Sequence, residues 1–158
     1  MKIRPIGERD REAIRGLVAG TGAFEPREAE EAMELVDEAL ARPGDDEYRP
    51  FVLEEEDGTL AAYACFGKNP MTKATYDIDW LAVRADRTGK GYGRRIVAFV
   101  EDEVRRLGGR LLVFETSSRE SGGGTPELCL ETGFSLAARL PDFFDEGDDL
   151  LIYVKAVR

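Results

Sequence analysis

The hydrophobic positions of this chain change period several times, and each change marks an element. Lys2-Ile3-Arg4-Pro5-Ile6 alternates and predicts a first strand ending at Gly7. Over residues 8–19, Ile14, Leu17 and Val18 recur at helical spacing, and Gly20-Thr21-Gly22 breaks the pattern. Residues 26–41 predict a strongly acidic second helix with Ala29, Met33, Val36 and Leu40 inward, ended by Pro43-Gly44. Its glutamates read as a solvated face, and the Phe24-Glu25 loop is a lesser candidate for the rim of a substrate site. Phe51-Val52-Leu53 and residues 60–66 flank Asp57-Gly58, a hairpin signal. After a loop at 67–72, residues 75–83 predict a strand. Alternation puts Asp77, Asp79, Leu81 and Val83 on one side, and Ile78, Trp80 and Ala82 on the other.

A long helix follows, with Ile96, Val97, Val100, Val104 and Leu107 on one face and Gly108-Gly109 as its stop. Glu101–Arg105 and Asp102–Arg106 are expected pairs on its outer face. Residues 111–115 are almost wholly apolar, as a covered parallel strand is. Residues 117–124 are loose and glycine-rich. Thr125-Pro126 resembles an N-cap followed by a first-turn proline, opening a short helix that Gly133 ends. Residues 134–140 and 150–157 then pair around Asp145-Glu146-Gly147-Asp148. No repeat or linker interrupts this order, so a single domain over 1–158 is expected.

The stretch Arg87-Thr88-Gly89-Lys90-Gly91-Tyr92-Gly93-Arg94-Arg95 lies where a strand turns into the long helix. Glycine adopts positive φ and lets its N–H approach a ligand. The free N–H groups of a helix's first turn favour an anion, and cations there are disfavoured until one binds. This pattern predicts a pyrophosphate cradle. A solvated Gly-rich turn is the plainer reading of the same residues.

Charge and composition narrow the chemistry. At 158 residues the chain can bury a real core, and its 42% apolar content suits a globular protein. No apolar run is long enough to span a bilayer. A net charge of −10 argues against non-specific nucleic-acid binding, while Arg84, Arg87, Lys90, Arg94 and Arg95 make a local basic spot. The chain has no histidine, which excludes Ser-His-Asp catalysis and His-based metal sites, so no metal is expected. Cys65 and Cys129 have neither metal nor disulfide spacing, and a reducing cytoplasm is the expected home. Cys65 and Trp80 read as core.

The order of elements and three of its stretches resemble the GNAT N-acyltransferase superfamily. They are Trp80-Leu81-Ala82-Val83 leading to Gly91-Tyr92-Gly93-Arg94, then Leu111-Leu112-Val113-Phe114-Glu115-Thr116, then residues 128–134 ending in Gly133-Phe134. The tail, from Leu140-Pro141-Asp142-Phe143-Phe144 to Leu150-Leu151-Ile152-Tyr153, is also similar to that of many bacterial members. The resemblance covers the whole chain. It implies an α/β fold with a mixed, twisted sheet of about seven strands and about four helices. It also implies acetyl-CoA as cosubstrate, bound in a gap between the strand of Leu81 and that of Leu111. The implied coenzyme contacts run over Leu81, Ala82 and Val83, then Arg87, Thr88, Gly89, Lys90, Gly91, Tyr92, Gly93 and Arg94. Two positions depart from the family pattern: Thr88 replaces its leading Gln/Arg, and Cys129 replaces the tyrosine that often protonates the leaving thiolate.

Transfer to an amine needs a base, because an alkylamine with a pKa near ~10.4 is mostly protonated at pH 7. Asp77 and Asp79 stand where relatives carry base or relay residues. Two close carboxylates raise one pKa and attract a cation. Cys129 is a weaker candidate acid, or a plain core residue; Tyr92 and Tyr153 are lesser donors; Glu115 is a candidate for the amine site. The acceptor is expected to be a small-molecule amine (a polyamine, amino acid or aminoglycoside-like compound) or a protein amine. Homodimers are common in such families. A non-catalytic acyl-CoA sensor and a different nucleotide-binding fold are the rival readings.

Overall fold

The computed structural model describes residues 1–45, 47–119 and 125–157. Of the glycine-rich segment at 117–124, residues 120–124 lie outside the described residues. The strands are β1 (Lys2–Pro5), β2 (Arg49–Glu54), β3 (Leu60–Lys68), β4 (Thr75–Val83), β5 (Leu111–Ser117), β6 (Ser135–Asp145) and β7 (Asp148–Ala156). The helices are α1 (Arg11–Gly20), α2 (Pro26–Ala41), α3 (Tyr92–Arg106) and α4 (Thr125–Glu131). All seven strands form one sheet in the order β1-β2-β3-β4-β5-β7-β6, with β4 and β5 parallel and the other neighbours antiparallel. This is the expected mixed α/β architecture. No described helix is long and apolar enough to cross a membrane.

The sheet is covered on both faces. β3 is buried from Leu60 through Gly67, as a central strand must be. Ala62, Ala64 and Phe66 join Ile96, Val97, Val100 and Val104 of α3 in one core. Tyr63 and Cys65 join Ile14 and Val18 of α1 and Met33 and Val36 of α2 in the other. Burying one such aliphatic side chain stabilises by about 1.5–3 kcal/mol, against under about 1 kcal/mol for a surface ion pair. Apolar stripes, not surface charges, therefore seat these helices. On α3 Arg105 pairs with Glu101 and Asp102, at 3.5 and 2.7 Å. Arg106 reaches Glu103 at 2.6 Å rather than Asp102, so that expected pair is replaced by an i,i+3 one.

α2 follows the sequence closely because proline opens it and Pro43-Gly44 follows it. Ala32 joins the expected inward set, with Ala29 and Leu40 only partly buried. β6 runs five residues further than expected. It is an exposed edge strand, so no alternation is imposed on it and Pro141 costs no ladder bond.

The expected faces of β4 need correction. Cys65 pairs with Trp80 but Phe66 pairs with Ile78, so Asp79 is an extra residue in the ladder. This bulge resets the alternation. Tyr76, Ile78 and Leu81 share the α3-side core, while Trp80 and Ala82 face the α1–α2 side. Asp77 therefore lies on the face opposite Leu81, and the Asp79 carboxylate bears on Tyr63 and Cys65 of the second core.

β4 pairs with β5 only from Thr75–Leu111 to Ile78–Phe114. Past that point β5 follows β7 alone, through Glu115, Thr116 and Ser117, while β4 stays with β3. The sheet opens beside the Asp79 bulge, at the carboxyl ends of two parallel strands, a usual place for a ligand crevice.

Candidate active site

The opening forms one groove along β4. Its wide end is a cleft of about 690 Å³ between Phe24, Glu25 and Glu28 on one side and Asp79, Trp80, Leu81, Phe114 and Glu115 on the other. A waist of about 130 Å³ shares Phe24 and Leu81 with the cleft. The waist shares Val83, Thr88 and Leu128 with a third recess of about 670 Å³, whose wall includes Gly89, Gly91, Tyr92, Gly93 and Arg94. The residues singled out in the sequence from Leu81 to Arg94 thus border one continuous path. Lys90 is exposed and lies off its wall.

The end of the groove at the start of α3 is built from backbone. Gly91 caps α3 at φ 81 and ψ 7, a left-handed conformation that side-chain-bearing residues rarely adopt. The Arg95 N–H donates to the Gly91 carbonyl at 3.1 Å, so the N–H groups of Tyr92, Gly93 and Arg94 precede that helical bond. A Cβ on Gly93 would stand 3.0 Å from Leu128 Cδ2 and 3.5 Å from Val83 Cγ2, which is why α4 can close over the helix start.

Three of the cations around it, Arg84, Arg87 and Arg94, are engaged by carboxylates. Arg87 Nε donates to Glu55 at 2.8 Å, and the Tyr92 hydroxyl donates to the other oxygen of the same carboxylate at 2.8 Å. Arg87, then Tyr92, hold the Glu55 carboxyl below its usual pKa. Glu55, on the β2–β3 turn, thereby joins the two ends of the glycine loop. Sequence reasoning missed it, since it lies 32 residues before Arg87 with no spacing rule linking them. Arg94 pairs with Glu131 of α4 at 3.0 Å, and Arg84 with Asp86 at 2.8 Å.

At the wide end two of the lining carboxylates, Asp79 and Glu28, are raised. Burial, then the neighbouring Asp77, raises Asp79 to about 7. Water reaches Asp79 through the cleft mouth, yet protein rings its other sides, and this poor solvation lifts the pKa. Burial raises Asp77 too, opposed by a 3.0 Å hydrogen bond from Asn69 Nδ2. Phe24 packs edge-on against Trp80 with ring centres 5.0 Å apart, so Trp80 is a cleft wall as well as packing. Glu115 and the Phe24-Glu25 loop both line the cleft. Ser117 donates to Asp148 beside them, a pairing the sequence did not suggest. Cys129 is 3% exposed in the α3-side core, and burial pushes its thiol up to about 12.

Residues 18–120 match the acetyltransferase (GNAT) family. The chain belongs to this family. A GNAT-family protein from Desulfovibrio desulfuricans is 39% identical and superposes with a TM-score of 0.92 over 99% of both chains. The yncA protein of Salmonella typhimurium, solved with its cofactor acetyl-CoA, is 22% identical with a TM-score of 0.74, over 99% of this chain and 94% of that one. The L-methionine sulfoximine/L-methionine sulfone acetyltransferase of Salmonella typhimurium is 29% identical over 94 residues. That match spans 58% of this chain and 54% of the relative. The GNAT assignment accounts for a parted β4–β5 pair leading into a glycine-rich helix start.

Proposed function

We propose that this GNAT protein transfers an acetyl group from acetyl-CoA to a primary amine, by direct attack in a ternary complex. The observation carrying the reading is the groove that joins the perturbed Asp79 to the amides at the start of α3. The fit is good at both ends. The left-handed Gly91 and the side-chain-free Gly93 let a diphosphate approach the N–H groups of Tyr92, Gly93 and Arg94. The edge of β4 freed by the splay, from Leu81 to Val83, offers backbone groups to an extended amide chain. The coenzyme supplies an activated acetyl thioester.

Asp79 takes a proton from the incoming ammonium, directly or through one water, because its pKa lies near neutrality. The neutral nitrogen then bonds to the acetyl carbon, the carbon–sulfur bond breaks, and the second proton lost by the nitrogen passes through water to the leaving thiolate. Asp77 acts by raising Asp79. Cys129 has no part in this scheme, since a buried thiol near 12 is a poor donor. The vacancy at the usual tyrosine position favours a second reading, a coenzyme-binding sensor without turnover. Incubation with acetyl-CoA and an amine panel, following free thiol, decides between them. Amine-dependent thiol release is expected; tight coenzyme binding with no release across the panel would leave only the sensor.

In this scheme Arg87 acts as a strut on Glu55. Glu55→Ala frees both ends of the loop and is expected to weaken coenzyme A binding about 10-fold, equal to ~1.4 kcal/mol. Calorimetric titration checks it. Glu55→Gln, which can still accept from Tyr92, should lose less, and equal affinity in all three proteins would exclude the strut.

A further inference from the structure

Resting on that transferase reading, we propose that the acceptor is a small aliphatic di- or polyamine, acetylated at one nitrogen while a second, protonated nitrogen is held by carboxylates on the α2 side of the cleft. The cleft is defined as a site by the parted strands and its aromatic walls, and its charge then selects the guest. Asp79 and Glu115 come from β4 and β5, and Glu25, Glu28 and Glu31 come from the start of α2 facing them. With Asp148 this makes six lining carboxylates against two guanidiniums among the described residues.

Each guanidinium already has a partner within the protein. Arg119 Nη2 donates to the Glu146 carbonyl at 2.8 Å. Arg27 has an 88% exposed side chain and reaches only Glu31, at 4.0 Å. Glu28 is the carboxylate best suited to a ligand. It is half-buried and forms no ion pair among the described residues; burial raises it first, a hydrogen bond from the Glu25 backbone opposes that, and the charges of Glu25 and Glu31 raise it further. A cation brought to it relieves that crowding.

The wall between the two charged regions is apolar. Phe24, Trp80 and Leu81 line it, with the Phe24–Trp80 edge-to-face pair at 5.0 Å. Methylenes pack against such rings, and an ammonium is favoured over an aromatic face. An amine with a methylene spacer and a second charge satisfies both the rings and the far carboxylates. A monoamine leaves Glu28 without a countercharge. An α-amino acid brings its own carboxylate into a negative cleft, which is why the substrates named for the Salmonella relative fit less well.

The reaction balances without a further reagent. One amine nitrogen gains the acetyl carbon as the carbon–sulfur bond breaks; the first of the two protons it loses passes to Asp79, and the second passes through water to the thiolate, so the coenzyme leaves as the thiol. The second ammonium keeps its proton throughout and only positions the chain.

The test measures thiol release from acetyl-CoA with 1,4-diaminobutane, spermidine, n-butylamine and L-methionine sulfone. The expected kcat/KM for both polyamines exceeds that for n-butylamine by at least about 30-fold, mainly through KM. The ratio shrinks as salt screens the cleft. It falls below about fivefold in Glu28→Gln, whose melting temperature establishes that it folds. Equal kcat/KM for diaminobutane and butylamine, or a preference for methionine sulfone, overturns the acceptor class while leaving the transferase intact. Thiol release with none of the four, nor with any amine of the wider panel, strikes the transferase reading itself.

Discussion

Gly91→Glu is expected to lower coenzyme A affinity by at least about 100-fold, equal to ~2.7 kcal/mol. Gly91 has a φ of 81, and a side chain in the left-handed region costs roughly 1–2 kcal/mol. That strain alone would leave the fold standing, because a Cβ there meets nothing within 4 Å. The larger effect comes from the new carboxylate, set beside the free amides proposed to hold the diphosphate. Gly91→Ala separates the two contributions, since it carries the strain without the charge. It should lose less than about 10-fold in affinity, from roughly 1.4 kcal/mol. Titration of each variant with coenzyme A, with melting curves to establish folding, reads the difference. A folded Glu variant that binds as tightly as the parent would remove the diphosphate from this end of the groove.

Much of the architecture was legible because its residues carry local signals. α2 has a first-turn proline and a Pro-Gly stop, and α3 has an apolar stripe after a glycine cluster. The glycine-built start of α3 was readable for the same reason: its shape is a matter of backbone, and glycine is the side-chain statement it needs. What escaped were contacts made by the fold. Glu55 reaches Arg87 and Tyr92 across the hairpin, so no window of sequence joins them. The sequence offered Arg87 as one of three candidate phosphate contacts, and its acidic partner was out of view. The bulge at Asp79 was equally hidden, since no glycine marks it and Thr75–Val83 otherwise alternates. Strict period two put Asp77 and Asp79 on the face of Leu81. Asp79 reaches the cleft for another reason: the bulge lies where β4 leaves β5 and turns that carboxylate toward the opening.

That placement sets the expected behaviour of Asp79→Asn. A positioned general base typically contributes 10²–10⁴-fold, so kcat/KM should fall by about 10² or more at pH 8. The parent enzyme gains activity as pH rises through about 7, because its carboxylate must be ionised to take the proton. The variant should lose this limb and keep only the slower rise from the amine's own deprotonation. Stability moves the opposite way. The folded state holds the Asp79 proton up to about 7, while the unfolded chain releases it near the ordinary value of 3.8. Between those values the folded state binds more protons, so the parent loses stability as pH rises and levels off above 7. The asparagine variant carries no such proton. Its melting temperature should match the parent's below pH 4 and exceed it at pH 8. A variant slower at pH 8 yet more stable there would tie the raised pKa to catalysis. If the variant kept the parent's rate profile, the proton acceptor would have to be sought elsewhere along the cleft, first at Glu115.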